Sequence, residues 1–333
     1  MVSAGIVGIG KYLPSRIVTN FDMAKMVDTS DEWIKKKLGI SKRRFAKDTQ
    51  ALSDMGIVAA RRAMRDAGVA AEDIDLIIVG ALSHDYVGGT LTSNIIKDNI
   101  GAKNAFGIDL NIICAGFIYC VEVARRFVES GACKTVLVIN GEIFSKYPQS
   151  RVTSVIFGDG AGALIMRPVK KGWGILSSHI DSSAEGGGDL GILIGGSRSP
   201  LTVDALKEGR FVVQMNGRSI YNFVLKAFPD AVNTVLRKAK LQIKDIDFLI
   251  AHQANVNLIR ECMGILGLPM SKTYTNIHKY GNIGGGSVTV ALEEAVKKGL
   301  VKRGDLVVTV AYGAGLAWGA NVMRWCGKPD VIK

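Results

Sequence analysis

Residues 65–79, RDAGVAAEDIDLIIV, recur without a gap as residues 237–251, RKAKLQIKDIDFLIA. Each copy reads as a helix end, a short acidic turn and a buried β-branched strand. A second pair of segments follows in the same order. CAGFIYCVEVARRFVESGACKTVLVINGE and NIGGGSVTVALEEAVKKGLVKRGDLVVTVAYG both run from a small-residue loop through an amphipathic helix into a strand. Repeats this far apart imply two duplicated halves, because solenoid periods are only about 20–50 residues. The halves are expected to be residues 1–172 and 173–333, dividing in the stretch RPVKKGW. Strands are predicted at 74–82, 135–142, 246–252 and 305–313, each after a helical pattern, which places the chain in the α/β class.

The composition permits a large core: 48% of the 333 residues are hydrophobic, 22% are charged and only 7 are proline. The apolar start MVSAGIVGIGKYLP breaks at Lys11 and Pro14, too early for a membrane span or an export signal, so a cytoplasmic protein is expected. Five cysteines, an odd number with no metal-finger spacing, read as free thiols. A formal charge of +12 favours an acidic partner or a phosphorylated cofactor. Only KKK at 35–37 and KRR at 42–44 cluster, and no nucleic-acid motif accompanies them, so a nucleic-acid partner is not expected.

Within this frame Cys114 stands out. It lies just before the helical pattern Phe117, Val121, Ala124, Phe127 and Val128, where a helix N-terminus would favour a thiolate. Cysteine is equally a common core-filling residue, and Cys120, Cys133, Cys262 and Cys326 read as such. His252 ends a predicted strand, a position that suits a catalytic or a structural imidazole. Asn282 sits in YGNIGGGS, where Gly-Asn alone would mean a turn. If the halves pack about a pseudo-twofold, Cys114, His252 and Asn282 converge on one cleft. The glycine-rich stretches at 5–10, 157–164 and 185–196 lack a phosphate-binding spacing and read as close packing and turns.

With NIICAGF, FGDGAGA, HQAN, YGN and YGAGLAWG in that order, the chain resembles the β-ketoacyl-acyl carrier protein synthase III family of the thiolase superfamily. The likeness runs from about Val7 to about Trp325. It implies a five-layered αβαβα thiolase fold, a homodimer, and a coenzyme A thioester as substrate with no metal and no bound cofactor. It implies that Cys114 takes an acyl group from acyl-CoA, with the backbone N–H groups of Cys114 and Ala314 as oxyanion hole. His252 and Asn282 would handle malonyl-ACP, so the expected activity is a decarboxylative condensation that begins fatty-acid synthesis. The resemblance assigns coenzyme A contacts to Trp33, Lys37, Arg151, Gly217 and Asn255. It assigns the partner subunit's acyl pocket to Gly88, Gly89 and Thr90, where the absence of bulk suggests a roomier pocket than acetyl needs. Arg218 and Arg260 are the expected contacts for the acidic carrier. A condensing enzyme or acyltransferase of a specialised pathway is the alternative; retention of Asn282 favours decarboxylation over simple acyl transfer.

Overall fold

The structure, a computed structural model, describes residues 2–327 and 330–332. Its first sheet has the spatial order Ser3–Tyr12, Asp159–Val169, Val136–Ile143, Leu76–Gly80 and Phe106–Leu110. Leu76–Gly80 runs parallel to both of its neighbours, and the remaining pairs are antiparallel. The second sheet repeats the pattern as Gly174–Ser182, Ala317–Arg324, Leu306–Gly313 and Phe248–Ala251. Among the described residues its fifth position holds no strand; a single parallel bridge joins Leu249 to Thr273, after Pro269 and a 3₁₀ turn at Met270–Lys272. The four strands expected from the sequence lie within two residues of their predicted ends.

Strand alternation sorts the core into layers. Leu76 and Ile78 face the middle of the molecule, whereas Ile77 and Val79 face outward; Phe248 and Ile250 against Leu249 and Ala251 repeat the division. The middle layer is the helix pair Gly116–Glu129 and Gly286–Lys297, with Phe117, Val121, Val288 and Leu292 packed between the sheets. Helix Leu52–Ala67 covers the outer face of the first sheet, and Gly217–Lys238 with Val256–Ile265 covers that of the second. The stack is therefore αβαβα. Strands covered on both faces read as continuous apolar runs, which is how VLVI and LVVTV appear in the sequence. Each fully buried aliphatic side chain contributes ~1.5–3 kcal/mol, and all three large clusters consist mainly of such residues.

The glycine-rich start packs as expected. A Cβ on Gly8 would lie 2.5 Å from the Ala63 carbonyl oxygen, so glycine lets the edge strand meet the outer helix backbone to backbone. The first sheet ends at Val169 and the second begins at Gly174, although Val331 returns to bridge Val169. No helix among the described residues is long and apolar enough to cross a membrane.

Candidate active site

The two central helices meet at their N-termini. A Cβ on Gly285 would lie 2.9 Å from the Ile113 carbonyl oxygen and 3.3 Å from Gly116 Cα, so the approach depends on glycine. Cys114 precedes the first helix, which begins at Gly116, and Asn282 precedes the second, which begins at Gly286. His252 follows strand Phe248–Ala251, and Ala314 follows strand Leu306–Gly313. All four line one cavity of about 620 Å³.

Within the cavity the polar side chains are few and individually held. Asn282 Oδ1 accepts from the Gly284 N–H at 2.9 Å, which leaves the Nδ2 hydrogens for the sulfur of Cys114, to which the side chain hydrogen-bonds. His252 Nδ1 lies 2.8 Å from Ser287 Oγ, and its ring packs edge-on against Tyr312 with centroids 5.4 Å apart. Burial pushes the imidazole down to about 3, so His252 is neutral across the physiological range.

The sequence expectation that a helix N-terminus favours the Cys114 thiolate needs correction. Burial, followed by the nearby Glu142 carboxyl, pushes the thiol up to about 12, and the Asn282 hydrogen bond offsets only part of that. A dipole equivalent to about half a charge does not outweigh desolvation at a site 5% exposed, so the resting Cys114 is a thiol. Glu142 is itself buried beneath this region. It accepts from the Leu82 N–H, the Ser83 N–H and Ser83 Oγ at 2.9, 3.0 and 2.6 Å, while burial raises it to about 7.

Residues 108–184 match the family model described as 3-oxoacyl-[acyl-carrier-protein (ACP)] synthase III, and residues 236–325 match the model of its C-terminal part. The β-ketoacyl-[acyl-carrier-protein] synthase III of Caldanaerobacter subterraneus subsp. tengcongensis is 44% identical over 326 residues, 97% of this chain and 98% of its own length. The chain belongs to that family. Among solved structures, 3-oxoacyl-[acyl-carrier-protein] synthase III from Aquifex aeolicus VF5 is similar with a TM-score of 0.89 and 35% identity, covering 97% of this chain and 100% of that one. The priming β-ketosynthase of the R1128 polyketide biosynthetic pathway is similar with a TM-score of 0.88 and 30% identity, covering 97% of each chain. The layered stack is thus the thiolase fold, and the chain is a condensing acyltransferase of the synthase III class.

Other site residues expected in this synthase fall in three groups. Trp33, Lys37, Gly217, Arg218 and Asn255 line the cavity with Cys114, His252 and Asn282. Trp33 is 44% exposed on helix Asp31–Leu38, which Ser30 caps through the Trp33 N–H. Asn255 is largely occupied with structure: Oδ1 accepts from the Asn257 and Leu258 N–H groups, and Nδ2 donates to the Lys37 carbonyl at 3.1 Å. Arg151 lies outside the lining, where its neighbour Val152 stands; its Nε donates to the Asp28 carbonyl at 2.7 Å. Gly88, Gly89, Thr90 and Arg260 also lie outside it, all exposed, with Arg260 donating to Asn257 Oδ1 at 2.9 Å.

Three buried residues went unread in the sequence: Ser287, Tyr312 and Glu142. Tyr312 was visible only as a letter in YGAG. Ser287, five positions after Asn282, had no periodic or motif signal of its own.

Proposed function

We propose that Cys114, His252 and Asn282 form the catalytic triad of a decarboxylative condensation run in two half-reactions. The convergence of these three polar groups, one from each of three chain segments, on a single largely apolar cavity carries the reading. In the first half-reaction Cys114 sulfur attacks the acyl-CoA carbonyl. The N–H groups of Cys114 and Ala314 stabilise the oxyanion, and coenzyme A leaves as its thiol with the cysteine proton. In the second, malonyl-ACP loses CO2 as the carbon–carbon bond to its carboxylate breaks. The enolate charge passes to the thioester oxygen, where the His252 and Asn282 N–H groups hold it without protonating the carbon. The carbon then attacks the acyl-cysteine, and the cysteine sulfur leaves, giving 3-ketoacyl-ACP.

Trp33 and Lys37 at the cavity mouth suit the adenine and phosphates of coenzyme A, with Gly217 and Asn255 along the pantetheine path and Arg151 outside it. Arg218 and Arg260 are the carrier-docking cations. The active form is a cytoplasmic homodimer, its two thiolase-like halves in each subunit meeting near residue 172. The exposed loop with Gly88, Gly89 and Thr90 would reach the partner's acyl pocket. Gly88 and Gly89 bring no side chain to that pocket, which keeps a specialised primer as the second reading.

Intact-protein mass spectrometry after exposure to acyl-CoAs of increasing length, followed by a malonyl-ACP chase, tests both readings. A Cys114-dependent adduct cleared as 3-ketoacyl-ACP is expected, and the best-loaded chain identifies the primer. An adduct that persists in Cys114→Ala removes the nucleophile assignment, and one that malonyl-ACP leaves untouched removes the condensation.

A further inference from the structure

We propose that Ser287 fixes the tautomer of His252, so that the imidazole presents Nε2–H rather than a bare nitrogen to the second substrate. The inference rests on the reading of His252 as an N–H donor. Ser287 Oγ is buried, accepts the Gln253 N–H at 3.1 Å and lies 2.8 Å from His252 Nδ1. A hydroxyl with an incoming backbone donor keeps its own hydrogen to give, and Nδ1 is in reach. The Gly284 carbonyl is the other polar neighbour of the ring. It already accepts from the Ser287 N–H at 3.1 Å, whereas Ser287 Oγ is the partner within hydrogen-bond distance of Nδ1. In a ring this buried, the partner of one nitrogen decides what the other can do. Ser287 is therefore a positioning residue that acts through His252 and does not touch substrate.

The test combines Ser287→Ala, Ser287→Thr and His252→Ala with two readouts. Nitrogen chemical shifts of isotope-labelled histidine report which ring nitrogen carries the proton. Acylation by acyl-CoA and decarboxylation of malonyl-ACP are timed separately. Wild type is expected to show Nε2–H. Ser287→Ala is expected to move the proton to Nδ1, to leave acylation within about twofold, and to slow decarboxylation at least about tenfold, as loss of one preorganised donor does. Ser287→Thr, which keeps a hydroxyl, restores both. Nδ1–H in the wild-type enzyme, measured without any variant, overturns the proposal. So does a Ser287→Ala enzyme with unchanged tautomer while His252→Ala abolishes decarboxylation. If His252→Ala decarboxylates normally, the donor reading of His252 itself fails.

Discussion

Replacing Glu294 by glutamine should remove a pH-dependent share of stability that the structure allows to be worked out. The carboxylate lies near the end of helix Gly286–Lys297, whose other end adjoins Asn282, and its side chain is 10% exposed. Lys11 Nζ and Tyr280 Oη donate to Oε1 at 2.6 and 2.7 Å, while Tyr274 Oη and Asn276 Nδ2 donate to Oε2 at 3.0 and 3.2 Å. Burial alone would push the carboxyl up; these donors outweigh it and hold the group at about 2 against an ordinary 4.5. A depressed carboxyl contributes stability above its unfolded value and loses it as pH falls through its folded value, so Glu294 contributes ~3 kcal/mol at pH 7. Protonation of the unfolded chain leaves ~1 kcal/mol of that at about pH 3. Urea titrations of wild type and Glu294→Gln should therefore differ most at neutral pH, and the gap should narrow by ~2 kcal/mol by about pH 3. Because Asn276 and Tyr280 belong to the segment leading into Asn282, the variant should also lose decarboxylation more than acylation. A gap independent of pH would refute the reasoning.

Gly313→Ala should fold with a normal circular-dichroism spectrum yet lose acylation about tenfold or more, because the new methyl would press on Cys114 Cβ and lie 3.1 Å from its sulfur; normal adduct formation would remove that contact from the account. The Tyr312 hydroxyl is buried without a hydrogen-bond partner among the described residues, so Tyr312→Phe should raise stability by ~1 kcal/mol and preserve the ring edge on His252. A lower melting temperature would show that the hydroxyl is satisfied. His252, held near 3 by burial, should stay neutral by nuclear magnetic resonance from about pH 8 to about pH 5. Since the unfolded chain takes up that proton first, stability should fall with decreasing pH below 6.5, the ordinary imidazole value; an inflection of the native imidazole near 6.5 would contradict the burial.

What could be read from the sequence followed the range of each signal. The repeat at 65–79 and 237–251 is local pattern twice over, and it announced matching sheets because buried strands and amphipathic helices carry their periodicity in adjacent residues. The missing fifth strand of the second sheet had no such pattern, since one bridge at Thr273 leaves no run to recognise. Cys114, His252 and Asn282 were legible through ordered motifs, whereas Ser287 and Glu142 act by placement: each matters for what lies across from it more than 30 residues away in the chain, Ser287 beside His252 and Glu142 beneath Ser83. The protonation of Cys114 was misjudged for a related reason. The sequence shows the helix that follows it but not the depth of burial, and burial is the larger effect here.

The duplicated halves meet on equal terms at the cavity and contribute unequally to it. Extending the ungapped repeat by one residue sets His252 over Gly80. A side chain at Gly80 is excluded, because its Cβ would lie 2.5 Å from Cys120 Sγ and 2.6 Å from Asn140 Nδ2. That strand end is sealed in the first half, while in the second the central helix offers the hydroxyl of Ser287 to an imidazole. What both halves retain is the helix N-terminus: one behind Cys114, the other behind Asn282, brought together at Gly116 and Gly285. In the proposed reaction negative charge develops twice, first on the oxyanion at Cys114 and then on the enolate beside Asn282, and each time it forms near the positive end of a helix. A single half would supply one such end and either the nucleophile or the enolate donors, but never both. In the proposed reaction it is the divergence of the two copies around a shared cavity that would let one small site stabilise two anions in succession.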